Sequence, residues 1–219
     1  MGDHEMESIE ELEKGKKPHG KVTIVGLGRL GLRVALNLME VHRGGPREIK
    51  AVDGQRVTAD DLIFRLKGAR VGEYKVKFLE RLANGVSTRK VVGIPAYISK
   101  DNLQIIDGDI ICILIAGGNT LPITASIIKH AKKIEASTIS TMGVSGIGQE
   151  EIIAEDISNV EKDNPIAKFL KEKGIKDHTL IGTGKLIRDW EPITGYVLDE
   201  IAKTITSHIL KILHMRGVD

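Results

Sequence analysis

The residues best suited to chemistry are Gly26-Leu27-Gly28-Arg29-Leu30-Gly31, which follow directly on a short apolar run beginning at Lys21. Asp53 closes the next apolar run, 22 residues after Gly31. Each glycine of the loop has its own task. Gly26 turns the chain, Gly28 lets backbone N–H groups approach phosphate oxygens, and Gly31 allows close helix-to-strand packing. A helix opening beside the loop points unpaired N–H groups and a positive dipole end at the same place, which favours an anion. Asp53 is placed to accept from ribose hydroxyls, the alternative being that it starts a turn with Gly54. NAD and ATP both offer a phosphate and a ribose to such a corner. The loop by itself leaves the nucleotide open.

Such residues need a scaffold, and the pattern from Lys21 onward supplies one. Short β-rich runs at 21–26, 48–53, 88–94, 109–115, 135–141 and 178–182 alternate with amphipathic segments at 29–43, 58–66, 73–84, 119–133, 163–173 and 192–216. That alternation predicts an α/β fold, a Rossmann-like doubly wound and mostly parallel sheet with helices on both faces. The apolar run Asp-Ile-Ile-Cys-Ile-Leu-Ile from Asp109 reads as a central strand beside the first. The last helix carries Ile193, Val197, Ile201, Ile205, Ile209 and Ile212 on one face, which must be buried on the sheet or against a second copy. Residues 1–20 read as an N-terminal helical arm with a basic, flexible joint, and residues 21–219 as the nucleotide-binding domain. The stretch 143–164 reads as a loop or lid.

Composition narrows the function class. The chain has 219 residues, a formal net charge of +2 and 3% aromatic residues, so neither a polyanion surface nor stacking platforms for nucleic acid are expected. No membrane segment is evident. The single cysteine, Cys112, excludes an intrachain disulfide and a multi-cysteine zinc site and suits the cytoplasm. The seven histidines show no ligand spacing. Trp190, with Arg188 and Tyr196 nearby, is a packing anchor or a face for a planar substrate.

The order Asp53, Val57, Asp61-Leu62, Arg65 and Gly72-Glu73-Tyr74-Lys75 resembles the ThiF, MoeB and ubiquitin-activating family, whose pattern runs glycine loop, Asp, a Val then Asn-Leu-x-Arg box, then Gly-x-x-Lys. The resemblance covers roughly residues 20 to 150. It implies an ATP-dependent adenylyltransferase in which Arg65 and Lys75 hold the phosphates and Asp53 the ribose, with Mg2+ accompanying ATP. Fixed cations suit attack by a carboxylate on an α-phosphate, because two negative charges accumulate there. Gly26, Gly28, Arg29, Gly31, Asp61, Gly117 and Asn119 would complete the nucleotide site. Thr141, Gly143 and Gly146, in the stretch Ser-Thr-Met-Gly-Val-Ser-Gly-Ile-Gly-Gln from Ser140, line either the acceptor-carboxylate pocket of the family or a polar loop.

The departures are specific. Gly117-Gly118-Asn119 stands where the family has a magnesium-holding aspartate, Asp61 replaces an Asn, the Arg of the box is displaced by one residue, and Arg29 replaces a loop glycine. No cysteine occupies the nucleophile region, and no pair of CxxC motifs is present. A compact chain of this kind is similar to the members that act in making the iron-guanylylpyridinol cofactor of a methanogen hydrogenase. That likeness implies guanylylpyridinol as the carboxylate, an acyl-accepting cysteine on a partner protein, and a homodimer. An NAD-dependent oxidoreductase and a non-catalytic nucleotide-sensing module are the competing readings.

Overall fold

The structure is a computed structural model that describes residues 17–85, 87–161, 163–186 and 191–217. Among the described residues seven strands form one sheet in the order β3-β2-β1-β4-β5-β7-β6. They are β1 (Lys21–Val25), β2 (Glu48–Val52), β3 (Lys90–Ile94), β4 (Ile110–Ile113), β5 (Ser137–Thr141), β6 (Ile153–Asp156) and β7 (Thr179–Gly182). All neighbours run parallel except β6, which pairs antiparallel with β7. Among the described residues six α-helices accompany the sheet: α1 (Arg29–Glu40), α2 (Leu62–Leu66), α3 (Lys75–Ala83), α4 (Leu121–Lys133), α5 (Pro165–Glu172) and α6 (Gly195–Arg216).

The two-residue period of β4 distributes its side chains between two cores. Ile110 and Cys112 join α1, α3 and α6 on one face, whereas Ile111 and Ile113 join α4 and α5 on the other. As its run of apolar residues predicts, β4 lies beside β1, with Ile24 opposite Cys112. The strand order reverses between β1 and β4, and the carboxyl ends of strands at such a switch point open a crevice for ligands.

The apolar face of α6 is used within the chain. Val197, Ile201, Ile205 and Ile209 are buried, and the helix packs along α1, with Asn37 Nδ2 donating to Thr206 Oγ1. That face therefore gives no argument for a second copy.

Three local differences from the sequence reading have physical causes. The expected helix over 58–66 shortens to Leu62–Leu66, because the backbone of Asp61 leaves the helical region, with φ −79° and ψ +61°, while its carboxylate accepts from the backbone N–H and hydroxyl of Thr58. The supposed loop over 143–164 contains the edge strand β6, whose Ile153 lies opposite Gly182. The last helix begins at Gly195, since Pro192 and Thr194 instead bond to the backbone of Gly146. Of the N-terminal arm, residues 1–16 lie outside the described residues. The joint is docked at His19, whose backbone N–H donates to Gly45 and whose Nε2 donates to the Leu213 carbonyl at 2.8 Å. Among the described residues no helix is long and apolar enough to cross a membrane.

Candidate functional site

The glycine loop joins β1 to α1 at the switch point. Gly26 has φ +96°, and a Cβ on it would lie 2.7 Å from the backbone of Leu114 and Ile115. A Cβ on Gly31 would lie 2.2 Å from the Gly26 carbonyl oxygen. These two glycines are therefore required by the protein's own packing. Gly28 is different. Its φ of −79° suits any residue, and a Cβ there meets nothing within 4 Å. The chain itself leaves this space open. α1 opens from Gly28 with neither a side-chain cap nor an acid in its first turn, so its leading N–H groups face this space unanswered.

Asp53, at the end of β2, ties the loop in place. Its Oδ2 accepts from the Leu27 N–H at 2.7 Å and its Oδ1 from the Gln55 N–H at 2.7 Å. Each oxygen keeps a further lone pair. Gly26, Gly28, Asp53, Gln55 and Tyr97 line a cavity of about 270 Å³ at this edge. The Tyr97 ring, 70% exposed, lies so close over Gly54 that a Cβ there would be 2.5 Å from it. Tyr97 and Gln55 escaped the sequence reading, and an aromatic residue just beyond a parallel strand is the signal that could have found the first.

Of the two cations, Lys75 connects to this cavity through Gln55. Lys75, the first residue of α3, is buried, with its Nζ 3.1 Å from Asp61 Oδ1 and 3.0 Å from Gln55 Oε1. Burial pushes the Asp61 carboxyl up, but hydrogen bonds from Thr58 and Lys75 outweigh it and leave Asp61 below its ordinary value. Arg65 is exposed on α2 and donates to the Ala59 carbonyl at 2.9 Å. Arg29 is exposed on the first turn of α1. The structure thus unites Gly26, Gly28 and Asp53 in one cavity, reaches Lys75 and Asp61 through Gln55, and sets Arg65 and Arg29 outside.

A second chamber of about 430 Å³ adjoins the first, sharing Ile115, Ala116 and Thr120 as a wall. Gly117, with φ +110°, lies at the rim, and Asn119 is exposed in the short turn before α4. Thr141 and Gly143 line the chamber. Gly146 is not among its lining residues: its N–H donates to Pro192, and a Cβ on it would strike the Glu150 carboxylate at 2.3 Å. Glu150 in turn locks the loop by accepting from Gly148, whose N–H is the chief reason its carboxyl is held down at about 2, and by pairing with Lys185. Trp190 and Arg188 lie outside the described residues.

No family model matches the chain. Among solved structures, guanylylpyridinol- and ATP-bound HcgE from Methanothermobacter marburgensis is 59% identical, over 94% of this chain and the whole of that one, with a TM-score of 0.88. The chain belongs to the HcgE group of ThiF-like adenylating enzymes. An uncharacterized protein of Methanocaldococcus jannaschii is 44% identical over 208 residues, 94% of this chain and 82% of that protein. The ATP complex of the tRNA threonylcarbamoyladenosine dehydratase TcdA from E. coli shares the fold, at 19% identity and a TM-score of 0.75 over 96% of this chain and 90% of that one.

Two features set this ThiF-like chain apart. Cys112 is fully buried in β4, where burial pushes its thiol far up, so it offers no thiolate for a covalent acyl intermediate. The described residues contain no cluster of three or more acids, histidines or cysteines that could hold a metal ion. The segment that follows β4, with Gly117 and Asn119, carries no carboxylate.

Proposed function

We propose that this enzyme adenylylates the carboxylate of guanylylpyridinol with ATP and hands the acyl group to a cysteine of a partner protein. The observation that carries this reading is the pair of adjoining chambers at the switch point, one with an open phosphate cradle and one mostly apolar, in a chain 59% identical to an HcgE bound to both ligands.

In this reading ATP lies across the glycine loop with its phosphates on Gly28 and the N-terminus of α1, its ribose on the spare lone pairs of Asp53, and its base against Tyr97. Arg29 stands at the mouth. Lys75 exchanges Asp61 for the phosphates, and Arg65 swings in from α2; until then Asp61 keeps the buried ammonium compensated. Thr141 and Gly143 face the acceptor, Gly146 holds the loop that carries them, and Gly117 and Asn119 shape the rim between nucleotide and acceptor.

An acceptor carboxylate oxygen attacks the α-phosphorus, the bond to the bridging oxygen breaks, and pyrophosphate leaves with the electron pair. A partner thiolate then attacks the acyl carbon and AMP departs. Alignment of two anions and fixed positive charge supply the rate, so no nucleophile on this chain is needed. The buried Cys112 agrees with a thiol supplied from outside. Leu62 and Leu66, 61% and 77% exposed, with Val71 give apolar surface for a second copy, and we infer a cytoplasmic homodimer.

Calorimetric titration with ATP and with NADH tests the nucleotide assignment. ATP is expected to bind and NADH not, and Asp53→Ala is expected to weaken ATP more than tenfold. Binding of NADH alone, or an unchanged ATP affinity in Asp53→Ala, contradicts it.

A further inference from the structure

Gln55, two residues beyond Asp53, is exposed and lines the nucleotide cavity. Its main chain is held at both ends: the N–H donates to Asp53 Oδ1 at 2.7 Å, and the carbonyl accepts from the Lys75 N–H at 3.0 Å. The side chain is held as well, because its Oε1 accepts from Lys75 Nζ at 3.0 Å. An ammonium only donates, so the amide oxygen must face Lys75 and the two hydrogens of Nε2 must point away from it. Nε2 has no hydrogen-bond partner among the described residues. A cation on the oxygen also polarises the amide and strengthens its N–H groups as donors. The result is a neutral donor of fixed orientation on the cavity wall, beside a carboxylate with lone pairs to spare.

The neighbouring cation is turned elsewhere. In Rossmann-like sites the ribose acid meets the 2′ position, and an Arg near it accommodates a 2′-phosphate. Arg56 does not take that place: its guanidinium lies 3.7 Å over the Tyr74 ring, and Nη1 donates to the Gly72 carbonyl at 2.7 Å. The 2′ side is therefore served by Asp53 and Gln55, an acceptor and a neutral donor. That pair matches a hydroxyl, which donates and accepts at once, whereas a phosphate there would face the carboxylate without a cation.

Resting on the placement of ATP given above, we propose that Gln55 is a specificity-determining residue that reads the ribose 2′-hydroxyl. The hydroxyl donates to Asp53, and its oxygen accepts from Gln55 Nε2. The site thereby selects ribonucleotides over 2′-deoxyribonucleotides by more than Asp53 alone provides, because a deoxyribose sets a methylene against both groups.

Calorimetric titration of the full chain with ATP, 2′-deoxy-ATP and 3′-deoxy-ATP, in wild type and in Gln55→Met, tests this. Methionine keeps the length of the side chain and removes the donor, while Lys75 keeps Asp61. Tm is therefore expected within about two degrees of wild type. Gln55→Met is expected to weaken ATP and 3′-deoxy-ATP about fivefold, the effect of one neutral hydrogen bond, and to leave 2′-deoxy-ATP unchanged. Equal weakening of all three overturns the proposal, because the amide would then serve the phosphates or the fold, and so does an unchanged ATP affinity. Gln55→Glu gives a second measure, since it keeps an acceptor for Lys75 and replaces the donor by another acceptor. It is expected to narrow the preference for ATP over 2′-deoxy-ATP, and a preference as large as wild type contradicts the assignment. A wild type that binds no ATP removes the nucleotide reading and this proposal together. A wild type that binds ATP, with the deoxy preference unaltered in Gln55→Met, removes this proposal alone.

Discussion

Gly28 and Gly31 sit three residues apart in the same loop, yet they answer to different demands. A Cβ on Gly31 would strike the Gly26 carbonyl, whereas one on Gly28 meets nothing of the protein. Gly28→Val should therefore leave Tm within about two degrees of wild type while abolishing ATP binding, and Gly31→Ala should lower Tm by several degrees; thermal scans with and without ATP check both. The loop and Asp53 were legible in sequence because glycine spacing after one apolar run and an acid closing the next form a recurring pattern, although their contact spans 26 residues. The engagement of Lys75 by Asp61 and Gln55 was not, since the pair meets only when β2 and α3 are assembled. His178 likewise shows no spacing, yet it lies between Thr138 and Ser140, 1% exposed, with burial pushing its imidazole down to about 4. The unfolded imidazole takes a proton near pH 6.5 and the folded one only near pH 4, so its neutral form stabilises the fold above pH 6.5. Stability should fall by about 3 kcal/mol between pH 6.5 and 4. Urea denaturation across that window should show the loss in wild type and a much flatter profile in His178→Gln.

At the level of elements, parallel strands and long helices were read from periodicity, because burial on both faces or on one stripe imposes it. Strand β6 broke no such rule but gave too little signal, with four residues and Ile153 and Glu155 turned to solvent. The helix predicted over 58–66 exceeds α2 because Asp61 takes a non-helical backbone, ψ +61°, which propensity does not reveal. The long face of α6 was recognised, and its partner proved to be the sheet and α1. Ile205, fully buried there, should cost about 3 kcal/mol on conversion to Ala. Urea denaturation measures it, and a loss below about 1 kcal/mol would mean that α6 does not seal the core as described.

On the scale of the whole molecule, the strand order places two chambers side by side where β1 and β4 part. A nucleotide cradle alone serves many chemistries; a second, mostly apolar chamber sharing its wall is what an enzyme joining ATP to a carboxylate requires. The Rossmann-like layout was legible from the alternation of elements, whereas the apolar chamber was not, because β4, β5, α4 and the 143–146 loop meet there only in the folded chain. The central claim is that both substrates react here. Exchange of labelled pyrophosphate into ATP tests it most directly: the account predicts exchange that depends on guanylylpyridinol and is lost in Gly28→Val, whereas no exchange with guanylylpyridinol, or equal exchange without it, would contradict it.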